Sequence, residues 1–194
     1  MLARSLGAMF VCCFTYLPSA IAQRQPPAQA PAIASLPPAT KMEAFQPAVG
    51  SVVTFGYDDL GLIPGVAVDA REISDSKGTT VRGLLVDVTE SEYRKERSFV
   101  DADEIPELLK GVDSLLAVTT NPTSFKNFEV RYTTKGGLQL TAFNTSGGKI
   151  LYAVQAGRYT TAQRVGLDAA EIRKLRDSFV AAQEKLSSTA ATKH

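Results

Sequence analysis

Closely spaced carboxylates are the residues of this chain whose types and spacing come nearest to a catalytic arrangement. Aspartate and glutamate act as acid, base or nucleophile in hydrolases, and glycosidases place two of them on either side of the bond that they cleave. The chain has three such groups, which are Asp58-Asp59, Glu90/Glu92 and Asp101/Asp103/Glu104. These groups keep open the alternative that the chain is a carboxylate-based hydrolase.

Each group of carboxylates also has a structural explanation that involves no catalysis. Asp58-Asp59 and its neighbours have the composition of a loop. Glu90 and Glu92 fit the solvated end of a β-hairpin. Asp101 and Glu104 have the spacing of a helix capping box, in which each side chain binds a free backbone N–H. We therefore expect a non-enzymatic protein and assign no catalytic residue.

The N-terminal residues have the three parts of a secretory signal peptide. Arg4 gives a positive start, Leu6 to Leu17 form an apolar run, and Ala20-Ile21-Ala22 is a small-residue cleavage site. Cleavage is expected between Ala22 and Gln23. The apolar run has only about a dozen residues, whereas a membrane-spanning helix needs roughly 20. The pattern favours residues 1–22 as a cleaved signal over a retained anchor, and it predicts a periplasmic or secreted protein with no membrane span after cleavage.

The cleaved chain would lack the residues on which most enzymes and metal sites depend. The only histidine is His194, and the two cysteines, Cys12 and Cys13, lie inside the predicted signal. Ser-His-Asp or Cys-His catalysis and zinc sites of Cys and His are therefore excluded from it. The chain also has no glycine-rich phosphate loop of standard spacing. We predict no cofactor and no metal site.

Charge argues against a nucleic-acid ligand. Removal of Arg4 leaves 20 basic residues from the original 21, against 20 acidic residues. Such a balance gives no overall field that would attract a polyanion. We therefore expect no nucleic acid among the partners and consider an envelope protein, a polysaccharide or a lipid, none of which the sequence identifies.

Arginines are the best candidates for ligand contacts, because a guanidinium forms paired hydrogen bonds to anionic groups. Arg131 and Arg158 belong to the second half of the chain, where Tyr132 and Tyr152 are in phase with core positions. Arg94 and Arg97 lie in the charged run 92–97. That run also fits a solvated edge strand whose mixed charges prevent pairing with another chain. The candidate ligand-binding residues are Arg94, Arg97, Arg131 and Arg158.

Hydrophobic periodicity predicts the elements that would position these side chains. Residues 23–41 form a Pro/Ala/Gln-rich linker that cannot bury enough apolar surface to fold. Alternating residues then predict strands, and helical spacing predicts one helix over 101–118 and another over 168–186. The first helix would begin at Asp101 or, with Pro106 then in its first turn, at Asp103. The predicted strands are 51–55, 63–73, 81–88, 93–100, 128–134, 138–143, 150–156 and 160–166. The prediction is one α+β domain over 42–187 with antiparallel sheets and two ββββα halves, followed by a disordered tail at 188–194.

The two halves show signs of an internal duplication. The segment DADEIPEL at 101–108 and the segment DAAEIRKL at 168–175 share five of eight residues. Each segment follows predicted strands and begins with the same capping pattern. The order of elements resembles that of Whirly-type single-strand nucleic-acid binders, which contain two such repeats, although no motif of that family occurs here. A resemblance of architecture does not indicate function.

These observations together favour an exported, non-enzymatic binding or interaction module of the cell envelope. One alternative is a carboxylate-based hydrolase of envelope polymers, which would need two carboxylates facing one cleft. Another alternative is a lipid carrier, which would need an apolar cavity between the sheets and the helices.

Overall fold

The computed structural model describes residues 37–158 and 162–192. The predicted signal peptide, its cleavage site at Ala22 and Gln23, and most of the predicted linker lie outside these residues. The first element is a short helix, α1, at Lys41–Ala44. It begins with a capping box in which the Thr40 hydroxyl accepts from the N–H of Glu43 and the Glu43 carboxylate accepts from the N–H of Thr40.

The first half is a four-stranded antiparallel sheet followed by a helix. Its strands lie side by side in chain order, so each hairpin pairs neighbours in sequence. A 3-10 turn at Ala102–Glu104 leads from the last strand into helix α2 at Ile105–Leu116. The strands are β1 (Val53–Ile63), β2 (Val66–Asp75), β3 (Thr80–Ser91) and β4 (Arg94–Asp101).

The second half repeats this arrangement. Its four strands also form an antiparallel sheet in chain order, and the helix that follows is α3 at Ala169–Thr192. The strands are β5 (Glu129–Thr133), β6 (Gln139–Asn144), β7 (Ile150–Ala156) and β8 (Gln163–Leu167). The predicted α+β fold of two ββββα halves is confirmed, and the matching layout makes an internal duplication plausible.

Each helix packs on the sheet of the other half. Helix α2 lies against β5 and β6, and helix α3 lies mainly against β1 and β2. The two helices also contact each other, and β3 lies against β8. This exchange closes one hydrophobic core between the two sheets, so that neither sheet leaves its apolar face in water.

The core residues follow the alternation along the strands and the helical spacing along α2 and α3. The predicted inward residues of β2 and β3 are buried, and the whole predicted stripe of α3 is buried as well. Tyr152 is in the core cluster and Tyr132 packs against it, as their phase predicted. The confirmed residues are Val66, Val68, Ala70, Leu84, Val86, Val88, Ile172, Leu175, Phe179, Ala182 and Leu186.

Strand β1 differs most from its prediction. A short strand at 51–55 followed by a loop at Asp58-Asp59 was expected, but β1 continues to Ile63 and only Pro64-Gly65 turns the chain. The ladder with β2 runs from Val53 to Ile63 with a bulge between Asp59 and Gly61. Polar residues are tolerated in this strand because it lies at a sheet edge, where both faces can meet water.

The two predicted helix caps have different outcomes. At α3 the box is present, because the N–H of Glu171 donates to Asp168 and the N–H of Asp168 donates to Glu171. At α2 the predicted box is wrong, because Asp101 makes no side-chain bond to the turn that follows it. Helix α2 begins instead at Ile105, which leaves Pro106 in the first turn, where its missing N–H costs little.

Both ends of the described structure extend past the predicted boundaries. Thr40 and Lys41 belong to the capped α1 rather than to the linker. Helix α3 continues to Thr192, although a disordered tail was expected from Ser188. The Ser188 and Thr189 hydroxyls both donate to the carbonyl of Lys185, which satisfies polar groups within a helical turn.

The cap of α3 predicts a specific dependence of stability on pH. Backbone N–H groups of Glu171 and Ala170 hold the pKa of the Asp168 carboxyl below its ordinary value of 3.8. Because the folded pKa is lowered, the contribution of this group is complete above pH 3.8 and is lost as the pH falls through the lowered pKa. We expect Asp168→Ala to lower the thermal midpoint at neutral pH and to have little effect in strong acid.

Thermal unfolding of the wild type and of two variants across this pH range checks the expectation. The matched control is Asp177→Ala, which removes an exposed acid from the same helix without touching its cap. An Asp168→Ala effect that persists undiminished in strong acid would contradict the role of the charged cap.

Candidate functional site

Exposed apolar side chains are concentrated on and just before β1. Of the seven large apolar side chains that are exposed in the described residues, five lie between positions 49 and 62. We call these five residues the edge surface: Val49 (99% exposed), Val52 (72%), Phe55 (63%), Tyr57 (66%) and Leu62 (85%). Large apolar side chains exposed close together are candidates for contact with a partner.

Pairing with β2 places three members of the edge surface on one face of the sheet. Phe55 lies opposite Ile73, and Tyr57 lies opposite Arg71. The bulge after Asp59 shifts the register by one residue, so that Leu62 lies opposite Ala67 on the same face. These partners alternate with the core-facing residues of β2, so Phe55, Tyr57 and Leu62 all point away from the core.

Within the residues that the structure describes, strand β1 also has a free backbone edge. The N–H of Ser76 donates to the carbonyl of Val52 at 2.9 Å, which identifies this pair as a hydrogen-bonded one. Hydrogen-bonded and non-bonded pairs alternate along an antiparallel ladder. Up to the bulge after Asp59, the even-numbered residues of β1 therefore bond to β2. The N–H and carbonyl groups of Val53, Phe55, Tyr57 and Asp59 point away from β2.

Charged side chains lie on all four edge strands of the described residues, including Asp58 and Asp59 on β1. Strand β4 begins with the run Arg94-Lys95-Glu96-Arg97, β5 has Glu129 and Arg131, and β8 has Arg164. Charged side chains on an edge discourage pairing with a second chain. Strand β1 differs from the other three in its exposed aromatic side chains at positions 55 and 57.

The two aspartates of β1, Asp58 and Asp59, lie beside α3. Asp58 and Lys185 form an ion pair at 2.5 Å, and both line a cavity of about 290 Å³ together with Tyr57 and Arg71. The Arg71 guanidinium lies 5.8 Å from the centre of the Tyr57 ring and is paired with Asp69 at 2.9 Å. The side chains around the edge surface are thus held by charge pairs and by ring stacking.

The four predicted ligand-binding arginines lie in three separate places. Arg158 is largely buried. Its guanidinium donates to Glu43 of α1 at 3.0 Å and to the carbonyl of Pro37, just before α1, at 3.1 Å. Arg94 pairs with Glu90 at 3.0 Å on the β3–β4 hairpin.

Arg97 and Lys95 share one carboxylate on the neighbouring strand. Both pair with Asp87, at 3.4 Å and 2.8 Å. The charged run is thus a solvated edge, with its charges matched across the strands. Arg158, Arg94 and Arg97 thus each have an ion-pair partner within the chain, and their assignment as ligand contacts stays a prediction.

Arg131 belongs to a second surface, which sequence reasoning found only in part. Arg131 donates to Glu129 at 2.8 Å, and Arg164 lies 3.7 Å from the same carboxylate. The Arg164 guanidinium also lies 5.5 Å from the centre of the Phe143 ring. We call Glu129, Arg131, Phe143 and Arg164 the arginine face. Its cavity of about 580 Å³ is lined by Asn127, Phe128, Glu129, Phe143, Asn144 and Arg164.

The electrostatics of the arginine face leave one positive charge unmatched. Arg131 donates a hydrogen bond to Glu129, and this bond is the main reason that the pKa of Glu129 is lowered. Arg164 supplies a second cation beside the same carboxylate. The isolated Arg164 between Gln163 and Val165 gave no pattern from which its stacking on Phe143 could be predicted.

Most of the carboxylates that suggested hydrolysis have structural partners. Asp101 accepts from the N–H groups of Lys41 and Met42, and Glu104 accepts from the N–H of Lys135. A hydrogen bond from Lys41 lowers the pKa of Asp103. Acid catalysis would need a carboxyl group whose pKa is raised, which is the opposite direction.

The cavity beside α3 and the placement of the acidic side chains give little support to a lipid cavity or to a metal site in the described residues. A cavity of about 470 Å³ beside α3 is lined by apolar residues and by charged ones, including Lys41 and Arg82. In residues 37–158 and 162–192, no group of three or more His, Cys, Asp or Glu side chains is placed to hold a metal ion. None of the helices in those residues is long and apolar enough to cross a membrane.

Comparison with known proteins adds no family to these observations. The chain matches no protein-family model and no curated protein.

Proposed function

We propose that the chain is an exported, non-enzymatic binding or interaction module of the cell envelope. The observation that carries this proposal is the edge surface, where five exposed apolar side chains adjoin a free strand edge. Apolar surface of this kind gains free energy when a partner removes it from water. A strand edge also offers backbone donors and acceptors to an incoming chain.

The two alternatives have less support in the described residues. A lipid carrier would enclose its ligand in an apolar cavity, whereas the 470 Å³ cavity has Lys41, Asp103 and Arg82 in its lining. A hydrolase would have a carboxyl group with a raised pKa. Among the carboxylates that suggested hydrolysis, Asp103 has a lowered pKa, chiefly because its charged form accepts a hydrogen bond from Lys41.

Photo-crosslinking in cells that express the chain tests the main proposal. A photoreactive residue at position 57 is expected to label a protein partner, because Tyr57 is exposed beside the free edge. The matched control is position 93, since Tyr93 is 90% exposed but lies at the tip of the charged β3–β4 hairpin. Equal labelling at both positions, or no labelling at position 57, would argue against a binding role for the edge surface.

A second candidate function is the binding of an anionic envelope polysaccharide on the arginine face. The stacking of Arg164 on Phe143 and its excess positive charge favour this ligand class. Charge-assisted hydrogen bonds contribute about 1.5–3 kcal/mol each, so Arg164→Ala should weaken binding about tenfold or more.

Titration with polygalacturonate, with neutral dextran as the control polymer, measures this effect. The control variant is Arg173→Ala, because Arg173 is exposed on α3 and donates only to the carbonyl of Ala169. Equal affinity for the two polymers, or equal losses in the two variants, would eliminate the arginine face as an anion-binding surface.

A further inference from the structure

We propose that two copies of this chain associate through their β1 strands, paired antiparallel about a two-fold axis at Gly56. The proposal rests on the proposed function, because it names the occupant of the edge surface. The result would be one continuous eight-stranded sheet with aromatic side chains across the junction. A contact of this type uses the same patch on both copies and therefore closes as a dimer.

The backbone restricts how two β1 strands can pair. Residues that exchange hydrogen bonds across the junction must have outward N–H and carbonyl groups, which are those of Val53, Phe55, Tyr57 and Asp59. An axis at Gly56 places Phe55 opposite Tyr57 of the second copy and Val53 opposite its Asp59. This register is the one two-fold arrangement in which all four outward residues find a bonded counterpart.

The side chains favour the same register. It forms two Phe–Tyr pairs across the junction, and aromatic cross-strand pairs stabilise sheets by roughly 0.2–1 kcal/mol each. Asp58 lies opposite Thr54 of the second copy, so no aspartates face each other. An axis at residue 58 would instead place Asp58 opposite Asp58, where like charges repel. Gly56 on the axis leaves room for the two strands to approach.

Charges at the ends of the paired segment are also compatible with this register. Asp59 of the second copy would lie near Val53, at the end of β1 where the β2–β3 turn carries Lys77. The Lys77 ammonium lies 3.4 Å from the carbonyl of Val49, so this cation is already at that end of the strand. Asp58 keeps its ion pair with Lys185 on the other side of the sheet.

The apolar area suits a dimer that dissociates on dilution. A fully buried Phe or Tyr removes about 150–250 Å² from water, so the four side chains, each about two-thirds exposed, supply at most roughly 400–650 Å². Stable interfaces bury about 1,200–2,000 Å² in total, so this apolar area is small for a permanent dimer. We therefore expect an equilibrium between monomer and dimer that depends on concentration.

Sedimentation of the full chain over a wide range of concentrations is the first test. The wild type should change from monomer to dimer, and Tyr57→Lys should weaken association at least tenfold, because its charge would face Phe55 of the second copy. Tyr93→Lys is the matched control and should associate as the wild type does. Equal thermal midpoints of the two variants would show that Tyr57→Lys still folds.

Disulfide trapping tests the register directly, with Cys12 and Cys13 replaced by serine in every variant. Residues that face each other in a non-hydrogen-bonded pair have Cα atoms about 4.5 Å apart, which a disulfide can span. Gly56→Cys should therefore form a cross-linked dimer on oxidation, and a side chain has space there because a Cβ atom would meet only the carbonyl of Glu72, at 4.0 Å. Thr54→Cys should not, since the two copies of residue 54 would lie about 13 Å apart.

Each outcome has a defined meaning. A chain that stays monomeric and gives no trapped Gly56→Cys dimer overturns the proposal. A dimer that survives Tyr57→Lys, a larger assembly, or preferential trapping through Thr54→Cys also overturns it. If the chain is monomeric but position 57 still labels a different protein in cells, the proposed function stands with another occupant. If neither a dimer nor a labelled partner is found, both proposals fail.

Discussion

Replacement of Leu175 by alanine is expected to lower the free energy of unfolding by about 2–5 kcal/mol. Leu175 is fully buried on α3 and belongs to the core cluster that the two sheets and the two helices share. The change removes apolar contacts and leaves a cavity that the surrounding side chains can fill only partly. Urea unfolding monitored by circular dichroism measures the loss.

Leu62→Ala is the matched control for this prediction. It deletes the same atoms from a leucine that is 85% exposed on β1, so its effect on stability should stay within about 0.5 kcal/mol. Equal effects of the two substitutions would show that α3 does not pack as described. The inference that each helix packs on the sheet of the other half would then lose its basis.

Periodicity in the sequence was sufficient to predict the core. Val66, Val68 and Ala70 alternate on β2, and Ile172 and Leu175 share one helical face, because burial on one side of an element leaves a regular pattern. Strand β1 has no such pattern. Its members 54–59 are all exposed, so no alternation between core and solvent marked the strand, and its pairing with β2 decided its extent.

Long-range polar contacts were beyond the reach of local patterns. Arg158 was predicted as a ligand contact, and no local pattern indicated that its guanidinium donates to Glu43, 115 positions away. Arg131 was predicted without Arg164. Strands β5 and β8 are the two edges of one sheet, and the side chains of both arginines approach Glu129. A sequence pattern reports residues a few positions apart, whereas these contacts depend on how the sheets and helices assemble.

Asp101 gives the second large expected effect, and it follows from a mistaken prediction. Its spacing from Glu104 indicated a cap for α2, but its carboxylate accepts from the N–H of Lys41 at 2.9 Å and from the N–H of Met42 at 3.3 Å. These are free donors in the first turn of α1. Asp101 is only 3% exposed, so it fastens α1 to the end of β4 in a largely dry environment.

Asp101→Ala should therefore lower the free energy of unfolding by about 1.5–3 kcal/mol, the range for hydrogen bonds to a charged group. Asp101→Asn retains one acceptor oxygen and should lose less. Because the lost bonds belong to α1, the amide protons of Lys41 and Met42 should also exchange faster with solvent, while those in the core strands stay protected. Hydrogen exchange combined with urea unfolding measures both effects.

Substitution of the neighbouring Asp103 tests whether the contribution of Asp101 comes from its hydrogen bonds or from the negative charge of the acidic cluster. Its side chain is 58% exposed and pairs with the Lys41 ammonium at 2.7 Å, and such exposed pairs contribute less than about 1 kcal/mol. Asp103→Ala should therefore be nearly neutral and should leave the exchange of the Met42 amide unchanged. If the two substitutions have equal effects, charge rather than the bonds to the first turn of α1 explains the contribution of Asp101. A larger effect of Asp101→Ala would show that the aspartates at 101 and 168 have different roles in the two matching segments. Asp168 caps the helix that follows it, whereas Asp101 binds the first turn of a helix that lies 60 positions earlier in the chain.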